Sequence, residues 1–390
     1  MLRLAISALC AFTLSAQTVV VLPFFNHSKQ ANLDWIGESI AESVRDALVS
    51  EGVLALDRSE RLEAYRRLSL RPGAELTHAS VFKIGESLDA AHVVYGSFEL
   101  LPAEAGKTSK GTLRIQARLM DLKGTRQGTP FDQTGPIEEL AAIQSRIGWQ
   151  VLRAIGWRPL RSEEMFLKAR PAVRLDAVES YIRGLLATAA DQRHRFFTQA
   201  ARLDEKYSQP CFELGRIYWE KKEYKVATGW FERVSPGDSH YLEAQFFLGL
   251  CRYLNSDFKG AEQSFQRVAA AMPLNEVFND LGAAQDRRGN LDAAIASYQK
   301  AIEGDDRDPD YHFNLGYALW RSGKFGPAAE SFRAALARNP ADMEATSLLG
   351  RSLKQEPPRP GEPKIEARQR LKTNYDETAY RQLQAALKKK

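Results

Sequence analysis

The spacing of apolar and small positions divides the chain into two textures. In the second half one pattern returns: the pairs Leu214-Gly215, Leu248-Gly249, Leu281-Gly282, Leu315-Gly316 and Leu349-Gly350 stand 34, 33, 34 and 34 residues apart (248 minus 214, and so on). Each of the first four pairs is followed by Tyr224, Phe258, Leu291 or Phe325 at a turn, then by Ala227, Ala261, Ala294 or Ala328. A ring follows at Phe231, Phe265, Tyr298 or Phe332, and then Val234, Val268, Ala301 or Ala335. Gly289 and Gly323 stand where a helix would end in the left-handed conformation, and Pro273 and Pro340 close two copies. A weaker copy begins at Glu179-Ser180-Tyr181, with Gly184, Phe197 and Ala200; it is about three residues short, which predicts a tighter loop or a different register. A fixed period of this length marks stacked helical hairpins, each too small to bury its own apolar face. The prediction is an all-α superhelix over residues 177–354, with five hairpins and one further helix from Ala345 to Lys354.

The first half alternates instead between strand-like and helix-like periods. Thr18-Val19-Val20-Val21-Leu22 reads as a buried strand; Ile36, Ile40, Val44 and Leu48 mark one helical face, capped by Asn32 or Asp34 and stopped by Gly52. Val53–Leu56 reads as a second strand, Ser59 as the cap of a helix ended by Pro72-Gly73, and Val81, Ile84 and Leu88 as another short helix. His92–Leu101 and Thr112–Leu122 read as strands, the latter with Leu113, Ile115, Ala117 and Leu119 alternating as a one-sided sheet requires. Leu140, Ile143, Ile147, Val151 and Ile155 form a final helical stripe. The sum is a small α/β domain with a mixed sheet over residues 17–156, joined by a linker at 157–176 to the repeats.

The repeats resemble the tetratricopeptide family, whose Leu-Gly, Gly-x-Tyr-like turn, Ala, aromatic, Ala and Pro positions are the ones just described. The first domain resembles TolB amino-terminal-like domains and, more distantly, the CsgG-type curli-secretion fold. The segments carrying that likeness are Val20-Val21-Leu22-Pro23-Phe24, 34–42, Tyr95-Gly96-Ser97-Phe98 and 114–121. It implies an interaction module with no established catalytic residues.

Composition changes this picture little. The chain is 44% hydrophobic and 26% charged with a formal net charge of +5, spread evenly enough that nucleic acid is not called for. Met1-Leu2-Arg3, the apolar run Leu4–Leu14 and Ser15-Ala16 read as a signal peptide over residues 1–16, predicting an exported protein, periplasmic or associated with the outer membrane. Leu9 stands where a lipobox needs Gly or Ala, against lipidation of Cys10. Cys211 and Cys251 read as buried thiols serving as small apolar residues, with a bridge conceivable after export.

Candidate chemistry is sparse. Ala105-Gly106-Lys107-Thr108 lacks the earlier Gly of a phosphate loop, Leu101 standing there, and joins two strands, so it reads as a polar hairpin loop. The six histidines, His27, His78, His92, His194, His240 and His312, fall in no HxxxH spacing, and there is no Gly-x-Ser-x-Gly elbow. Asp305-Asp306-Arg307-Asp308 lacks the Gly and Glu of a calcium loop. No catalytic residue, metal or cofactor is predicted, and the chain is expected not to be an enzyme.

In the tetratricopeptide family the first helix of each hairpin lines a concave groove. That resemblance implies a partner-binding set of Phe212, Arg216 and Trp219; Phe246, Leu250 and Tyr253; Asn279, Ala283, Asp286 and Arg287; and Phe313, Tyr317, Trp320 and Arg321. At least three of the seven aromatics are expected to be exposed, since they lie off the core face. The predicted function is a non-enzymatic protein-binding scaffold of the bacterial cell envelope, gripping a protein or peptide in that groove. The alternative is small-ligand sensing, or a secretion or assembly role, through the α/β domain. After a Pro-rich break at 355–363, Leu371, Tyr375, Tyr380, Leu383 and Leu387 predict short amphipathic helices over 364–390, with Thr373 or Asn374 as a cap. They would dock on the last repeat as a cover, and Lys388–Lys390 would offer at most weak contact with an anionic membrane.

Overall fold

The computed structural model describes residues 18–28, 30–103, 110–124, 126–170, 172–358, 368–376, 380 and 383. The signal-peptide segment, the loop Ala105–Thr108, Leu387 and Lys388–Lys390 lie outside the described residues. The chain divides into two compact units between Tyr207 and Ser208.

The first unit is built on a mixed sheet. Strand β1 (Val19–Val21) and strand β2 (Phe25–Asn26) run parallel to β3 (His92–Leu101), and β3 pairs antiparallel with β4 (Thr112–Asp121) from His92↔Asp121 to Leu101↔Thr112. Beyond β4 lie β5 (Arg126–Gln127) and β6 (Phe131–Pro136), both antiparallel to it. Helices α2 (Arg58–Arg67) and α3 (His78–Ser87) close a core of Val20, Leu22, Tyr65, Val81, Ile84, Val93 and Met120. Helices α1 (Trp35–Ser50) and α4 (Leu140–Ala154) pack on each other, and α4 also packs on β4 and β6. Leu113, Ile115 and Ala117 of β4 are fully buried while Arg114 is exposed, as their alternation predicts.

The sheet is open, with β1 and β2 at one edge and β5 and β6 at the other. It closes into neither a barrel nor a propeller, and the TolB-like and CsgG-like resemblance of this domain is corrected accordingly. The residues that suggested it answer to local packing. A Cβ at Gly37 would stand 2.0 Å from the Phe24 carbonyl oxygen, and one at Gly96 2.1 Å from that of Gln116 and 2.6 Å from the Phe24 ring.

Smaller expectations also change. Asp57, not Ser59, caps α2, in a reciprocal capping box with Glu60. Asp34 precedes α1 but gives it no side-chain cap; its carboxylate accepts from Asn26 Nδ2 at 2.8 Å. Of Val53–Leu56 only Ala55 bridges to the sheet, at Val19. Strand β6 was not predicted, because Phe-Asp-Gln-Thr-Gly-Pro shows no apolar alternation.

Helices α5 (Glu163–Lys168), α6 (Leu175–Leu186) and α7 (Ala190–Leu203) follow, and by the chain division the first hairpin, α6–α7, belongs with the sheet. The second unit holds the hairpins α8 (Gln209–Glu220) and α9 (Tyr224–Phe231), α10 (Tyr241–Leu254) and α11 (Phe258–Ala271), α12 (Asn275–Arg287) and α13 (Leu291–Gly304), α14 (Pro309–Arg321) and α15 (Phe325–Arg338), then α16 (Met343–Leu353).

The repeat period has a steric cause. A Cβ placed at Gly215, Gly249, Gly282 or Gly316 would stand 2.5, 2.6, 2.7 or 2.9 Å from a ring carbon of Phe231, Phe265, Tyr298 or Phe332. The missing side chain on the first helix is the socket for the ring of the second. In the weak first copy Gly184 seats Phe197 in the same way. Its inter-helix loop, 187–189, is no shorter than 221–223 of the next hairpin. The shortfall lies in α6, which ends two residues past its glycine (186 minus 184) where α8 runs five (220 minus 215). Gly289 and Gly323 take φ of 81° and 76° at the helix ends, as expected, while Lys222 and Ser256 hold φ of 61° and 66° without being glycine.

Candidate protein-binding groove

Helices α8, α10, α12, α14 and α16 carry the Leu-Gly pairs, which set the register. Two positions before the Leu stand Phe246, Asn279 and Phe313; one before, Asp280 and Asn314; five after, Tyr253, Asp286 and Trp320; five before, Glu276, Asp310 and Glu344. Along this face lies the chain's own segment 368–376, which is not helical.

The segment is held first by its main chain. Arg370 N–H donates to Asn314 Oδ1 at 2.9 Å, and its carbonyl accepts from Asn279 Nδ2 at 2.8 Å and Asn314 Nδ2 at 2.9 Å. Asn314 also donates to Asn279 Oδ1 at 2.8 Å, which fixes both amides. Lys372 N–H donates to Asp280 Oδ1 at 2.9 Å. The main chain of this non-helical segment thus finds hydrogen-bond partners in side chains of these helices.

Four side chains are read as well. Buried Gln369 accepts from Tyr253 Oη at 3.0 Å and donates to Asp286 Oδ2 at 2.9 Å. The Arg370 guanidinium lies 3.5 Å from the Phe313 ring centroid, donates to Asp342 at 2.5 and 3.0 Å, and reaches Asp310 and Glu344 at 3.3 Å. Lys372 Nζ sits 2.7 Å from both Asp308 and Asp310. Tyr375 meets Phe246 edge-on at 5.2 Å between ring centroids. Hydrogen bonds from Arg370 hold the Asp342 carboxyl below the usual carboxylate range. Burial drives Asp280 well above it, Oδ2 having no hydrogen-bond partner among the described residues, and burial also raises Asp286 despite Arg321 and Gln369.

The predicted residues divide. Phe246, Tyr253, Asn279, Asp286 and Phe313 all meet the segment. Trp320 Nε1 donates to the Glu356 carbonyl at 2.7 Å, where the chain leaves α16. Arg216, Arg287 and Arg321 work within the array: Arg216 pairs with Glu243 and covers the Phe247 ring, Arg287 lies over Phe258, and Arg321 pairs with Asp286. Phe212 stacks on His240, Trp219 packs on Tyr224 and Phe247, Tyr317 stacks between Phe313 and Trp320, and Leu250 and Ala283 are core. None of the seven aromatics is exposed; six are buried and Trp219 half-buried. The expectation of three exposed rings fails because neighbouring rings and the segment itself cover them. The helix with a cap at Thr373 or Asn374, docked over the last repeat, is corrected too: 368–376 carries no helix and lies in the groove, with only Tyr380 and Leu383 described as helical beyond it.

Asp280, Asp310, Asn314 and Asp342 were not picked out from sequence, and Asp308 was noted only as part of an acidic turn. For Asp280 the available signal was the polar pair Asn279-Asp280 just ahead of Leu281-Gly282, where the preceding copy carries Phe246-Phe247. Away from the groove, Cys211 and Cys251 are buried free thiols, pushed by burial up to about 11 and about 12. Among the described residues no group of three or more His, Cys, Asp or Glu is placed to hold a metal ion.

Comparison with known proteins places the repeats. A family model described as a TPR repeat matches residues 287–323, and one described as a tetratricopeptide repeat matches 313–355. The two models together span residues 287–355, so the hairpins of that stretch are similar to tetratricopeptide repeats. No curated protein matches. Similar solved structures include YrrB, described as "a TPR protein with an unusual peptide-binding site", at 21% identity over 41% of this chain and 84% of that one, with a TM-score of 0.36. They also include MamA from Desulfovibrio magneticus RS-1, at 23% identity over 41% and 92%, TM-score 0.37, and a further MamA structure at 20% over 42% and 92%, TM-score 0.39.

Proposed function

We propose that the protein is a scaffold whose concave groove binds an extended segment of a partner protein, and that it does so in the bacterial cell envelope. One observation carries the groove reading: the side-chain amides of Asn279 and Asn314 grip both the N–H and the C=O of a single residue of a non-helical segment. Main-chain groups are common to all segments, so the grip fits any sequence whose side chains the neighbouring pockets accept. The envelope location rests on the reading of residues 1–16 as an export signal.

Photocrosslinking tests the groove reading. p-Benzoylphenylalanine in place of Trp219, half-buried and at the position equivalent to Tyr253 and Asp286, is expected to capture a partner from an envelope fraction. The same residue in place of Lys259, exposed on α11, should not capture it. Equal capture from both positions, or capture from Lys259 alone, overturns groove binding.

A further inference from the structure

Resting on the groove reading above, the chemistry of segment 368–376 identifies what the groove accepts. The surface around the segment is acidic: Asp286, Asp308, Asp310, Asp342 and Glu344 all contact it through carboxylate oxygens. Such a cluster repels an acidic guest and favours a cationic one. The guest is also read by shape. One pocket takes a neutral amide, since Gln369 satisfies a phenol donor and a carboxylate acceptor at once. The next takes a planar guanidinium, over the Phe313 ring and forked on Asp342. The third takes an ammonium between two aspartates. The contact is of an exchangeable kind. Arg368, Thr373, Asn374 and Asp376 are exposed, Leu371 is only half-buried, and the attachment is mainly hydrogen bonds and ion pairs, with Arg370 over Phe313 and Tyr375 on Phe246 as its ring contacts.

We propose that the partner presents an extended basic segment of the form Gln-Arg-x-Lys, and that residues 368–376 are an intramolecular copy of that ligand which the partner must displace. Nine residues (359–367) separate the segment from Pro358. A ligand on so short a tether has an effective concentration in the millimolar range, so it suppresses a free competitor of similar affinity by about tenfold or more. The groove is thereby closed to weak or acidic segments and open to a partner that matches all three pockets.

The probe is a fluorescent synthetic peptide of residues 366–378, titrated against the full chain. Arg370→Glu with Lys372→Glu turns two cationic contacts into repulsive ones and leaves the groove residues unchanged, so it is expected to release the segment. That variant is expected to bind the peptide at least about tenfold more tightly than the wild type. A peptide carrying Glu at the Arg370 and Lys372 positions should bind neither. Equal affinity of wild type and variant, or binding of the charge-reversed peptide, overturns the proposal. Arg370→Gln with Lys372→Gln is the gentler variant; if circular dichroism shows that neither variant folds, the segment is a structural part and the proposal fails. Dimers of the wild type that vanish in the variant would make the occupant a second copy, again against it. Asn279→Ala with Asn314→Ala, added to the emptied groove, separates the two readings: charge-selective binding that survives refutes the main-chain grip and leaves the basic preference standing.

Discussion

At the scale of single residues, the groove holds carboxylates shifted in opposite directions. Asp342 is held below the usual range by Arg370, so its contribution is present above that range and lost as pH falls through it. Asp280 is driven the other way by burial; its contribution is full at acid pH and lost as pH rises through its raised value. Asp280→Asn keeps an oxygen for the Lys372 N–H and cannot ionise. We expect it to raise the melting temperature at pH 7 by about 2–4 °C, on the order of 1 kcal/mol for a unit of this size, and to flatten the loss of stability toward neutral pH. Thermal unfolding from pH 3 to 8 reads this directly. A lower melting temperature for the variant at pH 7 would show that the buried carboxylate is needed in its charged form.

At the scale of elements, glycine and ring are one unit. Gly282→Ala drives a methyl group into Tyr298 at 2.7 Å, an overpacking expected to cost about 1–3 kcal/mol. Tyr298→Leu removes the ring and should absorb part of that cost, so the double variant should lose about 1 kcal/mol less than the sum of the singles. Denaturant titration of the four proteins measures the coupling; strict additivity would mean that the glycine serves some other purpose. This pairing is why the array was legible in the sequence: a socket and a ring recur at fixed spacing and need no long-range information. Strand β4 was legible for a similar reason, Leu113, Ile115, Ala117 and Leu119 alternating with polar residues, while β3 shows itself by the apolar run Val93-Val94-Tyr95. Strand β6 lacked any such alternation. Segment 368–376 misled because Leu371 and Tyr375 are spaced as on a helix, whereas Asn279, Asn314 and Asp280 satisfy its main-chain groups from helices α12 and α14. Those partners lie 91, 56 and 92 residues away in sequence (370 minus 279, 370 minus 314, 372 minus 280), a distance that no local pattern spans.

At the scale of the molecule, two units of different construction share one chain, and the second carries its own extended ligand. The open mixed sheet of the first unit belongs with no barrel, and the short motifs that suggested one serve close backbone approach at Gly37 and Gly96. In the second unit, repetition makes the wall while departures from repetition make the site: Asn279 and Asp280 stand where another copy has Phe246 and Phe247. The central claim, that the groove grips an extended main chain, is tested most directly by hydrogen exchange of the full-length protein. The amides of Arg370 and Lys372 should exchange slowly, and that of Arg370 should lose its protection in Asn279→Ala with Asn314→Ala while α12 and α14 stay protected. Fast exchange at both amides in the wild type would contradict it.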